Sequence, residues 1–409
     1  MFRSCVIVFV GVMFAGANEP PKTEEKKTDV KEPVFVTEFK VTKEESRAKL
    51  LAVHVELEKA WQASKTQAER DAIFARGREE TDKIYRPAAE KIMTAVRPYA
   101  ASPDAVEVLV WVANVSRGPQ PGSEAVRLLQ THHLTHPQTI TLAERFNFSP
   151  TKWVEPLLRE QLASPDLPKA SRSRVLYDLA VTKQYQSKLP GELLAMSDDQ
   201  IAQMNDLYGK DVIEGVRRMD VTKAETEAIG LFTELAQKYW QEKTDRGLAF
   251  GDVAKSAIFE IQHLSIGKVA PDIVGEDTEG VKFKLSEYRG KVVMLSFWGT
   301  WCGPCMGLVP HERELVERLK GKPFALIGVN SDKNKTKLAE VMKDEKITWR
   351  SFWCGEKGSQ GEIPSAWNVA GWPTIYVLDH NGVIRAKQAI GKPLDRIIDA
   401  LIQEVEAKR

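Results

Sequence analysis

Two cysteines three residues apart, Cys302 and Cys305, have the type and spacing that covalent redox chemistry needs. They frame the motif Cys-Gly-Pro-Cys, directly after an apolar run at Val292–Trp298 that is typical of a buried strand. A cysteine at the junction of a strand and a helix lies where unpaired backbone amides and the helix dipole stabilise a thiolate. Because the thiolate is the attacking species in disulfide exchange, the pattern predicts Cys302 as a nucleophile.

The second cysteine is placed to complete the exchange. Cys305 follows one helical turn later, on the face that it shares with Leu308 and Val309, so we expect it to be shielded from solvent. A shielded thiol beside the nucleophile can attack a mixed disulfide from within the protein. The sequence therefore predicts Cys305 as the resolving thiol, with Gly303 and Pro304 forming the loop between the two sulfurs.

Two other uses of the pair remain open at this stage. Half of a structural zinc site would need two further ligands with their own close spacing, and the chain has no second cysteine pair. A purely structural disulfide would not need the strand-to-helix junction. The lone Cys354, beside Phe352 and Trp353, is either a third redox thiol or part of the packing, and packing is favoured.

Three histidines give a weaker metal signal. His132 and His136 have helical i, i+4 spacing, with His133 between them, but Pro137 ends that helix and no carboxylate or cysteine accompanies them. Histidines near a helix C-terminus explain the cluster better. The chain also has no glycine-rich phosphate loop, so we expect neither a metal nor an organic cofactor.

Composition excludes several classes of protein. Of 409 residues, 43% are hydrophobic and 28% charged, which suits two or three folded domains. Lys+Arg 58 against Asp+Glu 57 gives a formal net charge of +1, so nucleic acid is not an expected partner. Four cysteines in a chain of this length are too few for a disulfide framework.

The N-terminus resembles an export signal. Residues 1–17 combine an arginine, an apolar run and Ala15-Gly16-Ala17, the order of a cleavable secretory signal. The alternative, an uncleaved membrane anchor, would need about 20 apolar residues, roughly twice this run. Residues 18–41 alternate lysine with acidic residues and predict a disordered linker. We expect export to the periplasm or cell envelope.

Two domains are predicted beyond the linker. Residues 42–266 contain helix-length amphipathic stretches separated by Gly/Pro turns, which predicts an all-helical domain; a solenoid remains open, without a repeating signature. Residues 267–409 alternate strand and helix patterns and contain the hairpin signal Asn381-Gly382. The predicted fold class is therefore a helical region followed by an α/β domain with a mixed sheet.

The stretch from Trp298 to Cys305 resembles the active site of the thioredoxin superfamily, and most of all its exported TlpA/ResA-like thiol-disulfide oxidoreductases. Pro310 matches the family's kink in the active-site helix, and Trp372-Pro373-Thr374 matches its cis-proline loop. The resemblance covers residues 268–409. It implies a thioredoxin-like fold in which Trp372 and Pro373 form a shelf for a substrate segment and Trp301 adds an apolar rim.

One departure concerns proton transfer. Thioredoxins have a buried aspartate six residues before the first cysteine, and this chain has Ser296 there. Exported relatives use an acid elsewhere in the fold, and by order along the chain Asp332 is the candidate proton acceptor for Cys305.

The predicted function is an exported thiol-disulfide oxidoreductase acting on protein thiols and disulfides. Gly303-Pro304 between the cysteines resembles the reducing thioredoxins, which favours a reductase supplied by a membrane thiol relay. A redox-sensing envelope protein whose helical domain binds an unknown partner is the alternative from another class. A peroxidase is disfavoured because Leu295 and Gly299 occupy the positions of the proline and the hydroxyl residue that peroxiredoxins use.

Overall fold

The computed structural model describes residues 32–116 and 122–408. The predicted signal peptide at 1–17 and the predicted linker up to residue 31 lie outside the described residues. Within these two ranges, none of the helices combines the length and the apolar composition that a membrane span requires.

The linker prediction is wrong for residues 34–41, because the first helix, α1, begins at Val34. Phe35 and Phe39 lie four residues apart on one face of this helix and are both buried. They pack with the apolar side chains of the next helix, α2 (Gln67–Val96). The many charged residues around Phe35 and Phe39 made the composition of this segment typical of a disordered linker.

Helices make up the elements of the first region within the described residues, which confirms its predicted class. After α1 (Val34–Ala63) and α2 come α3 (Ala105–Val115), α4 (Gly122–His133), α5 (Pro137–Leu142), α6 (Val154–Ala163), α7 (Lys169–Leu194), α8 (Asp198–Tyr208), α9 (Lys210–Arg217), α10 (Val221–Lys238) and α11 (Phe250–His263). Their apolar faces form several local cores, one around α1 to α4 and another where α7, α10 and α11 meet.

The second region is a thioredoxin-like domain with a mixed sheet, as predicted. A small hairpin joins β1 (Val274–Glu276) to β2 (Lys282–Lys284). The main sheet has the order β5-β4-β3-β6-β7 and is formed by β3 (Val292–Trp298), β4 (Phe324–Asn330), β5 (Ser351–Trp353), β6 (Thr374–Leu378) and β7 (Ile384–Lys387). Strands β3, β4 and β5 run parallel, whereas β6 and β7 are antiparallel to their neighbours. The helices are α12 (Gly303–Met306), α13 (Val309–Arg318), α14 (Lys335–Asp344), α15 (Glu362–Ala366) and α16 (Gly391–Glu406).

Strand β3 is the centre of this domain, and all seven of its residues are buried. Because successive side chains point to opposite faces, Val292, Met294 and Trp298 pack under α13 and α16. The alternate residues, among them Leu295 and Phe297, pack into a core on the other face. A strand buried on both faces explains the unbroken apolar run in the sequence.

The helical region packs against the edge strand β7 through helix α7. At this contact Glu260 of α11 binds Lys188 of α7 at 3.0 Å and Lys387 of β7 at 3.2 Å. Burial raises the pKa of Glu260, but the two ammonium groups together outweigh it and lower that pKa to about 2. A second ion pair, Lys268 with Glu225 at 2.9 Å, also joins the two regions.

We expect Glu260→Gln to loosen this contact, because it leaves two lysines without their shared carboxylate. With the Glu260 side chain 26% exposed, the loss at neutral pH should be about 2 kcal/mol of unfolding free energy, below the value for a fully buried pair. Because folding lowers the pKa of Glu260, the carboxylate contributes its full share of the unfolding free energy above pH 4.5. This stabilisation is lost as the pH falls toward about 2.

Urea unfolding at several pH values measures the effect. The control is Glu234→Gln, which breaks an exposed i, i+4 pair with Lys238 and should cost at most about 0.5 kcal/mol. Equal losses in the two variants would contradict a structural role for the Glu260 contact.

Candidate active site

The two cysteines form a disulfide at the end of the central strand. Strand β3 ends at Trp298, a short turn follows, and Cys302 caps the N-terminus of α12. The backbone N–H of Cys305 donates a hydrogen bond to the Cys302 sulfur over 3.2 Å. The residues are 4% and 3% exposed, and their Cα atoms are 5.2 Å apart. A sulfur held against backbone amides is stabilised as a thiolate when the bond is reduced.

Proline positions shape the helix that holds the pair. Pro304 stands in the first turn of α12, where its missing N–H leaves no hydrogen bond unmade. Pro310 stands in the first turn of α13 and cannot donate to the carbonyl of Met306, so the helix is interrupted between Met306 and Val309. The interruption lies where the resemblance to thioredoxins implies a kink.

Two tryptophans, Trp301 and Trp372, form what we call the tryptophan rim. Their ring centroids are 5.8 Å apart, the ring planes are inclined at 68°, and Trp301 is 56% exposed. A Cβ atom on Gly299 would lie 2.5 Å from the Trp301 indole nitrogen, so only glycine lets the ring approach this turn. The Trp372–Pro373 peptide bond is cis. The structure thus brings the loop before β6 next to the turn before Cys302.

Asp332 anchors that same turn. Its carboxylate accepts hydrogen bonds from the Thr300 backbone N–H at 2.8 Å, the Thr300 hydroxyl at 2.5 Å and the Asn330 amide at 2.8 Å. Among the described residues, Cys305 is not a hydrogen-bond partner of Asp332. These contacts fit a residue that positions the turn leading into Cys302, and the predicted exchange of a proton with Cys305 gains no support from them.

The site also contains a buried carboxyl, Glu312, which is not among the residues predicted from the sequence. Glu312 of α13 accepts a hydrogen bond from the Ser296 hydroxyl on β3 over 3.0 Å, and these residues are 4% and 2% exposed. Burial raises the pKa of Glu312 to about 7, against the lowering effects of the Ser296 hydroxyl and of His311. The sequence contains one indication of this burial. Glu312 is three residues from both Val309 and Leu315, so it lies on the apolar stripe of α13.

The remaining thiol and the histidines lie elsewhere. Cys354 is buried in the core on the opposite face of the sheet from the disulfide, and burial raises its pKa to about 12. His133 contacts the Ala100 carbonyl at 2.7 Å, and His136 caps α5 by accepting from the Gln138 N–H. No group of three potential metal ligands occurs in the described ranges.

Comparison with known proteins identifies the family. A sequence profile of the AhpC/TSA family matches residues 266–387. The thiol-disulfide oxidoreductase ResA of Geobacillus kaustophilus is 33% identical over 122 residues, which are 30% of this chain and 68% of that protein. The chain belongs to the ResA-like thiol-disulfide oxidoreductases. The ResA of Bacillus subtilis is 28% identical over 137 residues, covering 33% of this chain and 74% of that protein.

Solved structures match over a similar share of the chain. A crystal structure of the thioredoxin domain of a thiol-disulfide oxidoreductase from Bacteroides vulgatus aligns with 34% of this chain and 98% of its own, at 26% identity and a TM-score of 0.32. The ResA relative and the AhpC/TSA match confirm the family and the enzyme class that the Trp298–Cys305 motif indicated.

Glu312 should make stability depend on pH. Because folding raises the pKa of this carboxyl, its protonated form stabilises the folded protein. This stabilisation is full below pH 4.5 and is lost as the pH rises through about 7. Since one pKa unit corresponds to about 1.4 kcal/mol, this change should approach about 3 kcal/mol. Glu312→Gln keeps an acceptor for Ser296 but does not titrate, so the stability of the wild type relative to this variant should fall across that range.

Urea unfolding of the oxidised proteins at closely spaced pH values measures this difference. Other buried acids, such as Asp178, are present in both proteins and cancel. A difference that stays constant with pH would show that Glu312 is not the titrating group.

Proposed function

We propose that this protein is exported and reduces disulfides in other proteins through Cys302 and Cys305. The observation that carries the proposal is the bonded cysteine pair at the end of β3, next to the partly exposed tryptophan rim. The pair can exist as a dithiol or a disulfide, so two electrons can enter and leave without an organic cofactor. Pro373 would complete the shelf on which an extended substrate segment rests.

The exchange has two steps. The Cys302 thiolate attacks one sulfur of the substrate disulfide, a Cys302–substrate bond forms, and the other substrate sulfur leaves as a thiolate that takes a proton from water. The Cys305 thiol then loses its proton and attacks the Cys302 sulfur. The internal disulfide forms, the second substrate sulfur leaves, and the substrate ends with two thiols.

The proposed direction follows from the residues between the cysteines. Gly303 and Pro304 are those of the reducing thioredoxins, whose potentials lie near about −270 mV, whereas strong oxidants lie near about −120 mV. A reductase outside the cytoplasm needs electrons from across the membrane, so the proposed partner is a membrane thiol relay. The helical region would bind a further partner or orient the domain.

A peroxidase is disfavoured by the surroundings of Cys302. Peroxide activation in peroxiredoxins needs a hydroxyl three residues before the attacking cysteine, and Gly299 has no side chain. The position seven residues before it is Leu295, whose side chain packs into the core on the face of the sheet opposite the disulfide.

Replacing each cysteine separately tests the proposed roles. We expect Cys302→Ser to abolish reduction of a model disulfide protein, and Cys305→Ser to accumulate a mixed disulfide with it, because the first attack proceeds without resolution. Cys354→Ser is the matched control and should keep full turnover, since that thiol is buried in the other core. Full turnover by Cys302→Ser would favour the redox-sensing alternative.

The direction of transfer is tested separately by equilibrating the purified protein with glutathione or dithiothreitol buffers. We expect a potential below about −220 mV, in the range of thioredoxin-like reductases. A value above about −180 mV would reverse the proposed direction while leaving the oxidoreductase activity in place.

A further inference from the structure

We propose that Glu312 accepts the proton of Cys305 during the second step of the exchange, with the Ser296 hydroxyl positioning its carboxylate. The proposal deepens the proposed function and rests on it, since it concerns the resolving step of the same dithiol.

The first support is the placement of the groups on one face of the sheet. Ser296 lies on β3 two residues before Trp298, and alternation directs both side chains to the face covered by α12 and α13. Cys305 belongs to the apolar cluster on that face. The carboxyl of Glu312 reaches the same face from α13, because it accepts the Ser296 hydroxyl at 3.0 Å.

The second support is the direction of the Glu312 side chain. Long side chains in a helix lean toward its N-terminus and cover the preceding turn. Cys305 lies N-terminal to Glu312, beyond the interruption at Gly307 and Leu308. The carboxyl is therefore directed toward the turn that holds the resolving sulfur.

The third support is that Glu312 has no ion pair within the described residues, unlike several titratable neighbours on α13. His311 binds Asp395 of α16 at 3.1 Å, and Arg318 binds Asp399 of α16 at 2.7 Å. Arg313 donates to the turn at Glu345. Among the described residues, the Ser296 hydroxyl of β3 donates to the Glu312 carboxyl, and the neighbouring His311 lowers its pKa electrostatically. The dithiol lies N-terminal to Glu312.

A buried carboxyl without a cation is costly, and such groups are concentrated at functional sites. With a pKa of about 7, Glu312 is partly ionised near neutral pH and can both take and release a proton. In the resolving step the Cys305 proton moves to the carboxylate and the new thiolate attacks the Cys302 sulfur. The carboxyl proton then passes to solvent or to the departing substrate thiolate.

A coloured leaving group separates the two steps. The reduced full-length chain is mixed in a stopped-flow instrument with a nitrobenzoate disulfide, whose thiolate absorbs visible light. The first equivalent released reports attack by Cys302, and the second reports attack by Cys305. We expect Glu312→Gln to leave the first phase unchanged, to slow the second at least about tenfold near neutral pH, and to remove its inflection near pH 7.

Two further variants sharpen the test. Glu317→Gln, on the same helix with a side chain 79% exposed, should leave both phases unchanged. Ser296→Ala removes a hydrogen bond that lowers the pKa of Glu312, so the inflection of its second phase should move to higher pH. A merely structural role of Glu312 would not produce this shift. If Glu312→Gln does not fold, the shift in Ser296→Ala tests the proposed role of Glu312 on its own.

The outcomes are distinguishable. A normal first phase with an unaltered second phase in Glu312→Gln, or an unshifted inflection in Ser296→Ala, would overturn the role of Glu312 alone. Absence of both phases in the wild type would instead contradict the proposed function.

Discussion

The burial of strand β3 on both faces is the constraint on which the active site depends. Its parallel partner β4 ends at the same edge of the sheet, so Asp332, just beyond β4, lies beside the turn before Cys302. Its antiparallel partner β6 begins at that edge, so Pro373, just before β6, lies there as well. One mixed sheet therefore gathers three distant segments around the disulfide.

Strand β3 also supplies the hydrogen-bond partner of the buried Glu312 carboxyl on helix α13. Every residue of β3 is buried, and Ser296 is the polar one among them. A hydroxyl enclosed in an apolar core needs a partner, and Glu312 supplies it from α13. In thioredoxins proper the strand itself carries the acid at this position. In this chain the strand has Ser296 at that position, and the carboxyl that Ser296 contacts comes from helix α13.

The helical region contributes to the same domain by covering a sheet edge. Strand β7 is the last strand of the sheet, and an uncovered edge presents unpaired backbone groups to other chains. Helix α7 packs along it, and the Glu260 carboxylate joins Lys188 of that helix to Lys387 of the strand. The backbone of Ile384 in β7 also pairs with Gly267 and Lys268. The opposite edge, β5, pairs through Phe352 with Asp277, beside the small hairpin formed by β1 and β2.

Residue types and spacing alone indicated the redox chemistry and most of the local elements. The spacing of Cys302 and Cys305 after an apolar run indicated the disulfide site, and the motif indicated the family. Spacing also tells which face of an element a residue occupies. It does not tell what that face contacts, because partners such as Ser296 and Glu312, 16 residues apart, meet only when the helix folds back on the strand.

The contacts of the two acids could be read only from the folded chain. Order along the chain made Asp332 the nearest candidate proton acceptor, and the structure shows that its oxygens hold Thr300. Glu312, which was not predicted as a site residue, is buried against Ser296. The helix start at Val34 was likewise set by the core into which Phe35 and Phe39 pack, and not by the charges around them. Burial and partnership depend on contacts between segments far apart in the chain, and these fix the proton affinity of a side chain.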